Sequence, residues 1–316
     1  MPWINRSKAA SKAFYAILRT TVKEFDTDGL MKYCASLSFY TMFSIAPLLI
    51  VAIAIGSVIF GRDAINGHLF GQIHGVVGTD AAIAIQEMLR HTTLRKDNTF
   101  ATVIGVLVFF IGATGVFAEL QTTLNRIWGL KARPRKGLLR YLVSRLWSFA
   151  MVVTLGFLAV VSLAASAFID AMNTRLEHVF ADTSVFIFIM HHVITLSIIT
   201  LLFTLIFKYL PDSIIAWKDA FAGALFTAVL FLAGKYLIGL YLGSKAFSSA
   251  YGAAGSLIVI LLWIYYSSVL MYFGAEFTRV YAINHGHGIR PNSFSVRVRY
   301  REEELGCAAN PADEPL

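Results

Sequence analysis

The sequence predicts an all-α, polytopic membrane protein with six transmembrane helices, an N-terminal interfacial helix and short helices in its first external loop. Three observations carry this expectation: long stretches without charge, a lopsided distribution of lysine and arginine between alternate loops, and tryptophans at the ends of the apolar stretches. Only 15% of the 316 residues are charged and 57% are hydrophobic, where a soluble domain carries about a quarter charged residues. The mean hydropathy is +0.66.

A helix needs about 20 apolar residues to cross about 30 Å of hydrocarbon. Lys32 and Arg62 bracket 29 uncharged residues, which hold a span at 35–59. Asp97 and Glu119 bracket 21, giving 98–118, and Arg145 and Asp170 bracket 24, giving 146–169. Asp182 and Lys208 bracket 25, giving 184–207. The fifth span, 220–243, is interrupted only by Lys235, and the 30 uncharged residues 246–275 place the sixth at 255–279. The membrane domain is then 35–283, between a tail at 1–34 and a second at 284–316. The second tail becomes acidic and proline-bearing from Arg301 and is expected to be largely disordered.

Orientation follows from the cations, which cytoplasmic segments retain. Of the 27 lysines and arginines, 20 fall in the N-terminal tail, the second loop, the fourth loop and the C-terminal tail. Six fall in the alternate loops: Arg62, Arg90, Arg95, Lys96, Arg175 and Lys245. The expected placement is a bacterial inner membrane with both termini cytoplasmic. Trp128, Trp147 and Trp217 mark inner span ends, as an aromatic belt requires. The basic first 32 residues lack a signal-peptide core, so the first span reads as an uncleaved signal anchor.

Outside the spans, Phe14, Ile17, Leu18, Val22 and Phe25 recur at three- and four-residue spacing among basic residues. That pattern predicts an amphipathic helix on the inner leaflet. In the external loop, Gly67, Gly71, Gly75 and Gly78 line one helical face that allows close backbone approach. Ile83, Ile85, Met88 and Leu89 predict a second short helix there. No internal repeat stands out.

Three segments resemble the YihY/BrkB family of bacterial inner-membrane proteins: ASLSFYTMFSIAPLL in the first span, LQTTLNRIWGL after the second, and YGAAGSLIVILLWIYYSSVLMYFGAEF through the last. The resemblance covers roughly residues 20–285 and implies six spans. Members of that family have carried a ribonuclease label, names for serum resistance in pathogens, and links to lipid or lipopolysaccharide export.

Ionisable groups inside a membrane are costly and are candidates for function. Lys235 lies eight residues before Gly243, about 12 Å deep by helical rise. It is either a counter-charge for an anionic substrate or half of a pair with Asp170 or Asp182. Glu276 has Arg279 and Arg126 as candidate partners, and Glu119 opens a helix with Leu120, Leu124, Ile127 and Trp128 on one face. For both glutamates a structural ion pair stands against proton coupling. Pro47 is a mid-span kink, either hinge or static. Gly239 with Gly243, and Gly252 with Ser256, suit helix crossings.

Catalytic and cofactor signatures are missing. The eight histidines lack the spacing that puts two ligands on one face. Cys34 and Cys307 have no C-x-x-C neighbour, and no phosphate loop, nucleophile elbow or carboxylate pair occurs. The sequence therefore implies no enzyme, no metal and no cofactor. The basic run from Arg126 to Arg145 could hold nucleic-acid phosphates. Its place between two spans is explained by anionic lipid headgroups, which are the expected partners instead of nucleic acid. The expected function is a transporter or lipid-handling protein for an amphiphilic or anionic envelope molecule. A non-transporting scaffold for envelope proteins is the alternative, RNA processing is more remote, and a homo-oligomer stays open.

Overall fold

The structure, a computed structural model, describes residues 2–44, 115–132, 184–242, 255–285, 288–293 and 295–298. Helix α1 runs Pro2–Thr27, α2 covers 30–44 and α3 covers 115–127. The long helices are α4 Ser184–Tyr209, α5 Trp217–Leu242 and α6 Gly255–Asn284. Four short strands accompany them: β1 Leu130–Ala132, β2 Ser213–Ile214, β3 Arg290–Pro291 and β4 Ser295–Arg297. The molecule is mostly helical, with strands that the sequence did not predict.

Three helices are long and apolar enough to cross a membrane: His192–Tyr209, Trp217–Ile238 and Ile258–Asn284. They fall on the predicted spans 184–207, 220–243 and 255–279. Of the span at 35–59 only 35–44 is described, as helix, and of 98–118 only the last four residues, at the start of α3. The span at 146–169, Pro47, Gly243, Gly252 and the external loop with Gly67, Gly71 and Gly75 lie outside the described residues.

Two glycines make the sharp turns at the helix ends. Gly29 and Gly129 sit at φ 62° and 64°, in the left-handed region that side chains with a Cβ avoid. At Gly29 the chain leaves α1 and enters α2 at once, with the Lys32 amide donating to the Gly29 carbonyl at 3.2 Å.

Helix α5 packs between α4 and α6, and α1 packs along α6. The α5–α6 crossing is close because each helix presents a glycine to the other's threonine. A Cβ on Gly223 would stand 1.8 Å from Thr278 Oγ1, and one on Gly274 would stand 1.9 Å from Thr227 Oγ1. Each threonine hydroxyl in turn donates to the carbonyl four residues back on its own helix, at 2.7 Å, so it brings no unsatisfied polar group into the contact. These residues belong to a repeated five-residue pattern, Gly-Ala-x-Phe-Thr, at 223–227 and 274–278. Ala224 and Ala275 are fully buried, and Phe226 stacks on Phe277 with centroids 3.9 Å apart. The two copies run antiparallel and contact each other reciprocally. At the variable position one copy has the exposed Leu225 and the other the buried Glu276.

The spacing predicts one apolar face on α1, and the structure divides it. Ile17 and Phe25 are buried, whereas Phe14 and Val22 are exposed. The buried stripe of Ile17, Thr21 and Phe25 has four-residue spacing, and Phe25 meets Phe273 of α6 edge to face. Beyond α6, β4 pairs antiparallel with β1 (Lys131 opposite Val296) and β3 with β2 (Ile214 opposite Arg290). Both are two-stranded, so Pro291 costs only an outer hydrogen bond. The segments after α3, between α4 and α5, and after α6 are thereby drawn together.

Candidate functional site

Where α1 meets the C-terminal part of α6, three carboxylates converge on one guanidinium. Arg279 Nη1 lies 3.0 Å from Glu276 Oε1, 3.4 Å from Asp28 Oδ2 and 3.8 Å from Glu24 Oε2. Helical spacing explains each arrival. Glu276 and Arg279 are three apart on α6, and Glu24 in the last turn of α1 lies four before Asp28 in the turn that follows it. The Glu276 side chain is 0% exposed, and its Oε2 has no hydrogen-bond partner among the described residues. One oxygen from each carboxylate falls within 4.8 Å of the others. That spacing would suit a cation, but the guanidinium already makes contact with all three.

Burial pushes the Asp28 carboxyl above its ordinary range, opposed by the charge of Arg279, reinforced by Glu24 and opposed again by Arg126. Arg126 reaches this region from α3, with its guanidinium 5.3 Å over the Tyr33 ring. Of the two partners the sequence offered Glu276, the structure places Arg279 against it. The contribution of Glu24 and Asp28 was missed, because α1 reads as a surface helix and nothing in its spacing shows that it docks on α6.

The other candidates sit apart from this cluster. Glu119 is half-buried on α3 and is not among the carboxylates around Arg279. Lys235 is exposed on α5, while Asp170 and Asp182 lie outside the described residues. Next to it, Tyr236 Oη is 3.2 Å from His192 Nε2 of α4. Gly239 lies within α5.

A second polar centre ties three connecting segments together. Asp212 Oδ2 accepts from Asn125 Nδ2 at 3.0 Å and from Gln121 Nε2 at 3.3 Å. The Asp212 amide donates to Asn125 Oδ1 at 2.8 Å, and its carbonyl accepts from the Asn292 amide and the Ser295 hydroxyl. One residue thus joins α3, the α4–α5 connection and the segment after α6. Beside it, Lys208 Nζ donates to the Ile215 carbonyl and lies 5.4 Å over the Trp217 ring. Trp217 and Tyr209, both exposed, meet edge to face, as at a membrane–water boundary.

Apolar helices of spanning length, bound to one another by small-residue crossings and closed at one end by polar seams, define an α-helical integral membrane protein. The family described as Virulence factor BrkB matches residues 21–296, and the chain belongs to it. Its curated relatives are UPF0761 membrane proteins. That of Teredinibacter turnerae is 24% identical over 296 residues, covering 94% of this chain and 67% of its own length. That of Alcanivorax borkumensis is 25% identical over 285 residues, covering 87% of this chain and 62% of its own. One from Stenotrophomonas maltophilia is 29% identical over 280 residues, with the same two shares, 87% and 62%. The chain therefore spans about two thirds of these relatives or less. No solved structure matches.

Proposed function

We propose that this protein is a transporter or lipid-handling protein of a bacterial inner membrane, acting on an amphiphilic or anionic envelope molecule. In this reading the Arg279 cluster is the contact that opens and closes α1 against α6. The observation that carries it is the charge imbalance at a helix–helix seam: three carboxylates face one guanidinium, and one of them is completely buried. A static brace gains most from a balanced pair, because uncompensated buried charge is costly. A seam with surplus negative charge is held weakly enough to part. The 20 cations on one set of segments support a cytoplasmic position for α1, the strands and the cluster. The segment from Arg126 to Arg145 then faces anionic headgroups, and Lys235 is the counter-charge toward the other leaflet. No enzymatic role enters this reading.

The scaffold alternative draws support from Asp212, whose bonds to α3 and to the segment after α6 give a fixed inner surface. A vesicle assay separates the two. Purified full-length protein is reconstituted into phosphatidylethanolamine–phosphatidylglycerol liposomes with a fluorescent phosphatidylglycerol, and dithionite is added outside. Bleaching that proceeds beyond the outer leaflet, faster than in protein-free vesicles, is expected of a lipid-handling protein. Identical bleaching with and without protein overturns that form of the proposal and favours the scaffold.

A further inference from the structure

We propose that Glu276 is a proton-binding site, taking one proton on Oε2 while Oε1 keeps the Arg279 hydrogen bond, and that this proton fastens α1 to α6. Glu276 is fully buried, and its two oxygens are unequal: Oε1 accepts from Arg279 Nη1 at 3.0 Å, and Oε2 accepts from no donor among the described residues. Around it stand Glu24 from α1, Asp28 from the turn after α1, Arg279 on its own helix, and Arg126 from α3, whose charge acts on Asp28. Arg279 Nη1 touches all three acids, so its one positive charge is divided among three negative ones.

A buried lone oxygen beside two more carboxylates has three ways to be satisfied: a metal ion, a water or a proton. A metal would have to share the space with the guanidinium, which repels it. A water would satisfy Oε2 yet leave the excess negative charge in place. A proton does both. The carboxylate becomes a carboxyl, its O–H donates to a facing carboxylate oxygen, and a repulsive contact turns into a hydrogen bond. Loss of that proton to cytoplasmic water restores the repulsion, and the helix carrying Glu24 and Asp28 is the one that moves away. The internal comparison agrees: the other Gly-Ala-x-Phe-Thr copy has an exposed leucine at the position of Glu276. Crossing the helices therefore does not require a carboxylate there. As the step that drives transport, this site rests on the function proposed above; as a binding site it does not.

The test uses the full chain in lipid nanodiscs, with Cys34 and Cys307 replaced by serine. Spin labels are placed at Arg19→Cys on the exposed face of α1 and at Ile283→Cys near the end of α6. Pulsed electron resonance distances are read from about pH 5 to about pH 9. The docked population is expected to fall with rising pH, by up to about tenfold per unit across the transition, as release of one proton dictates. Glu276→Gln should stay docked throughout. Infrared difference spectra of the wild type follow the carboxyl C=O band through the same range and do not depend on how the variant folds. A wild type with no transition overturns the proposal, as does a Glu276→Gln protein that titrates unchanged. Sodium, calcium or manganese shifting the distances at fixed pH as strongly as protons would make this a metal site instead. Lipid movement with pH-independent docking would remove the proton site and leave transport standing. The opposite combination would retain the site and remove the transport reading.

Discussion

Gly223 of α5 is the surface on which Thr278 of α6 rests, and Gly274 returns the same service to Thr227. Adding one methyl group at either glycine places it inside the threonine, against atoms of Cβ and Oγ1 that cannot swing far without losing their bond to the helix backbone. Gly223→Ala and Gly274→Ala are each expected to destabilise by about 1–3 kcal/mol, the cost of overpacking a tight contact. Thermal unfolding in detergent measures this. Gly223→Ala combined with Thr278→Gly, which removes the Cβ at 2.6 Å together with Oγ1, should recover part of the loss, and failure to recover would show that the glycine acts through backbone freedom and not through space.

Arg279 holds its three carboxylates at unequal cost. Arg279→Ala leaves Glu276 buried without its partner, and removing one half of a buried pair costs about 3–5 kcal/mol. Abundance in the membrane and the unfolding temperature are expected to drop together. Adding Glu276→Gln to Arg279→Ala should restore a large part of both, because the stranded charge is then gone. Equal instability of the single and double variants would place the loss in packing of the arginine stem.

What the sequence made legible, and what it hid, follows from how local each signal is. The apolar helices and the Glu276–Arg279 neighbourhood could be read because charge-free length and three-residue spacing belong to a single segment. The Gly-Ala-x-Phe-Thr pairing was in plain view at 223–227 and 274–278, but a search for glycine pairs at four-residue spacing passes over glycine–threonine. Glu24 and Asp28 gave no signal because their role depends on α1 docking on α6, a contact between residues more than two hundred positions apart. The strands at 130–132, 213–214, 290–291 and 295–297 are too short for any period to show. Asp212 reads as an ordinary turn residue after Pro211 until its partners at Asn125 and Ser295 are known.

Asp28 sets a pH dependence whose sign can be worked out. Its carboxyl is pushed above the ordinary value of 3.8 by burial in the folded protein. Such a group contributes stability below its unfolded value, and the contribution disappears as pH rises through the folded one. Asp28→Asn retains an oxygen acceptor for Arg279 and removes the charge. The variant is therefore expected to unfold at a higher temperature than wild type at neutral pH, with the difference closing toward pH 4. A variant less stable at neutral pH, with the gap closing in acid, would show that attraction to Arg279 outweighs burial.

At the second polar centre, Asp212→Ala removes the acceptor of Asn125 and Gln121. Hydrogen bonds to a charged group contribute about 1.5–3 kcal/mol. The loss should be local, since Asp212 still offers its main-chain carbonyl to Ser295. Hydrogen exchange is expected to rise first in α3 near Asn125 and in the connection at 210–216, with α5 and α6 little changed. Uniform acceleration across all helices would mean that this seam holds the whole fold.

The last prediction concerns sidedness. The pairing of β1 with β4 and of β2 with β3 brings the segments after α3, after α4 and after α6 into direct contact. Arg279 ties the end of α1 to the same end of α6. Segments joined by backbone hydrogen bonds and ion pairs cannot lie on opposite faces of a bilayer, so the four must share one face whatever its identity. They are also the four that carry 20 of the 27 cations, so that face is expected to be the cytoplasmic one. Reporter fusions after residues 30, 131, 214 and 298 are expected to report the cytoplasm alike, and a fusion within 61–97 the periplasm. A split result among the first four would break the strand pairings as well as the topology. A uniform periplasmic result would keep the pairings and reverse only the charge assignment.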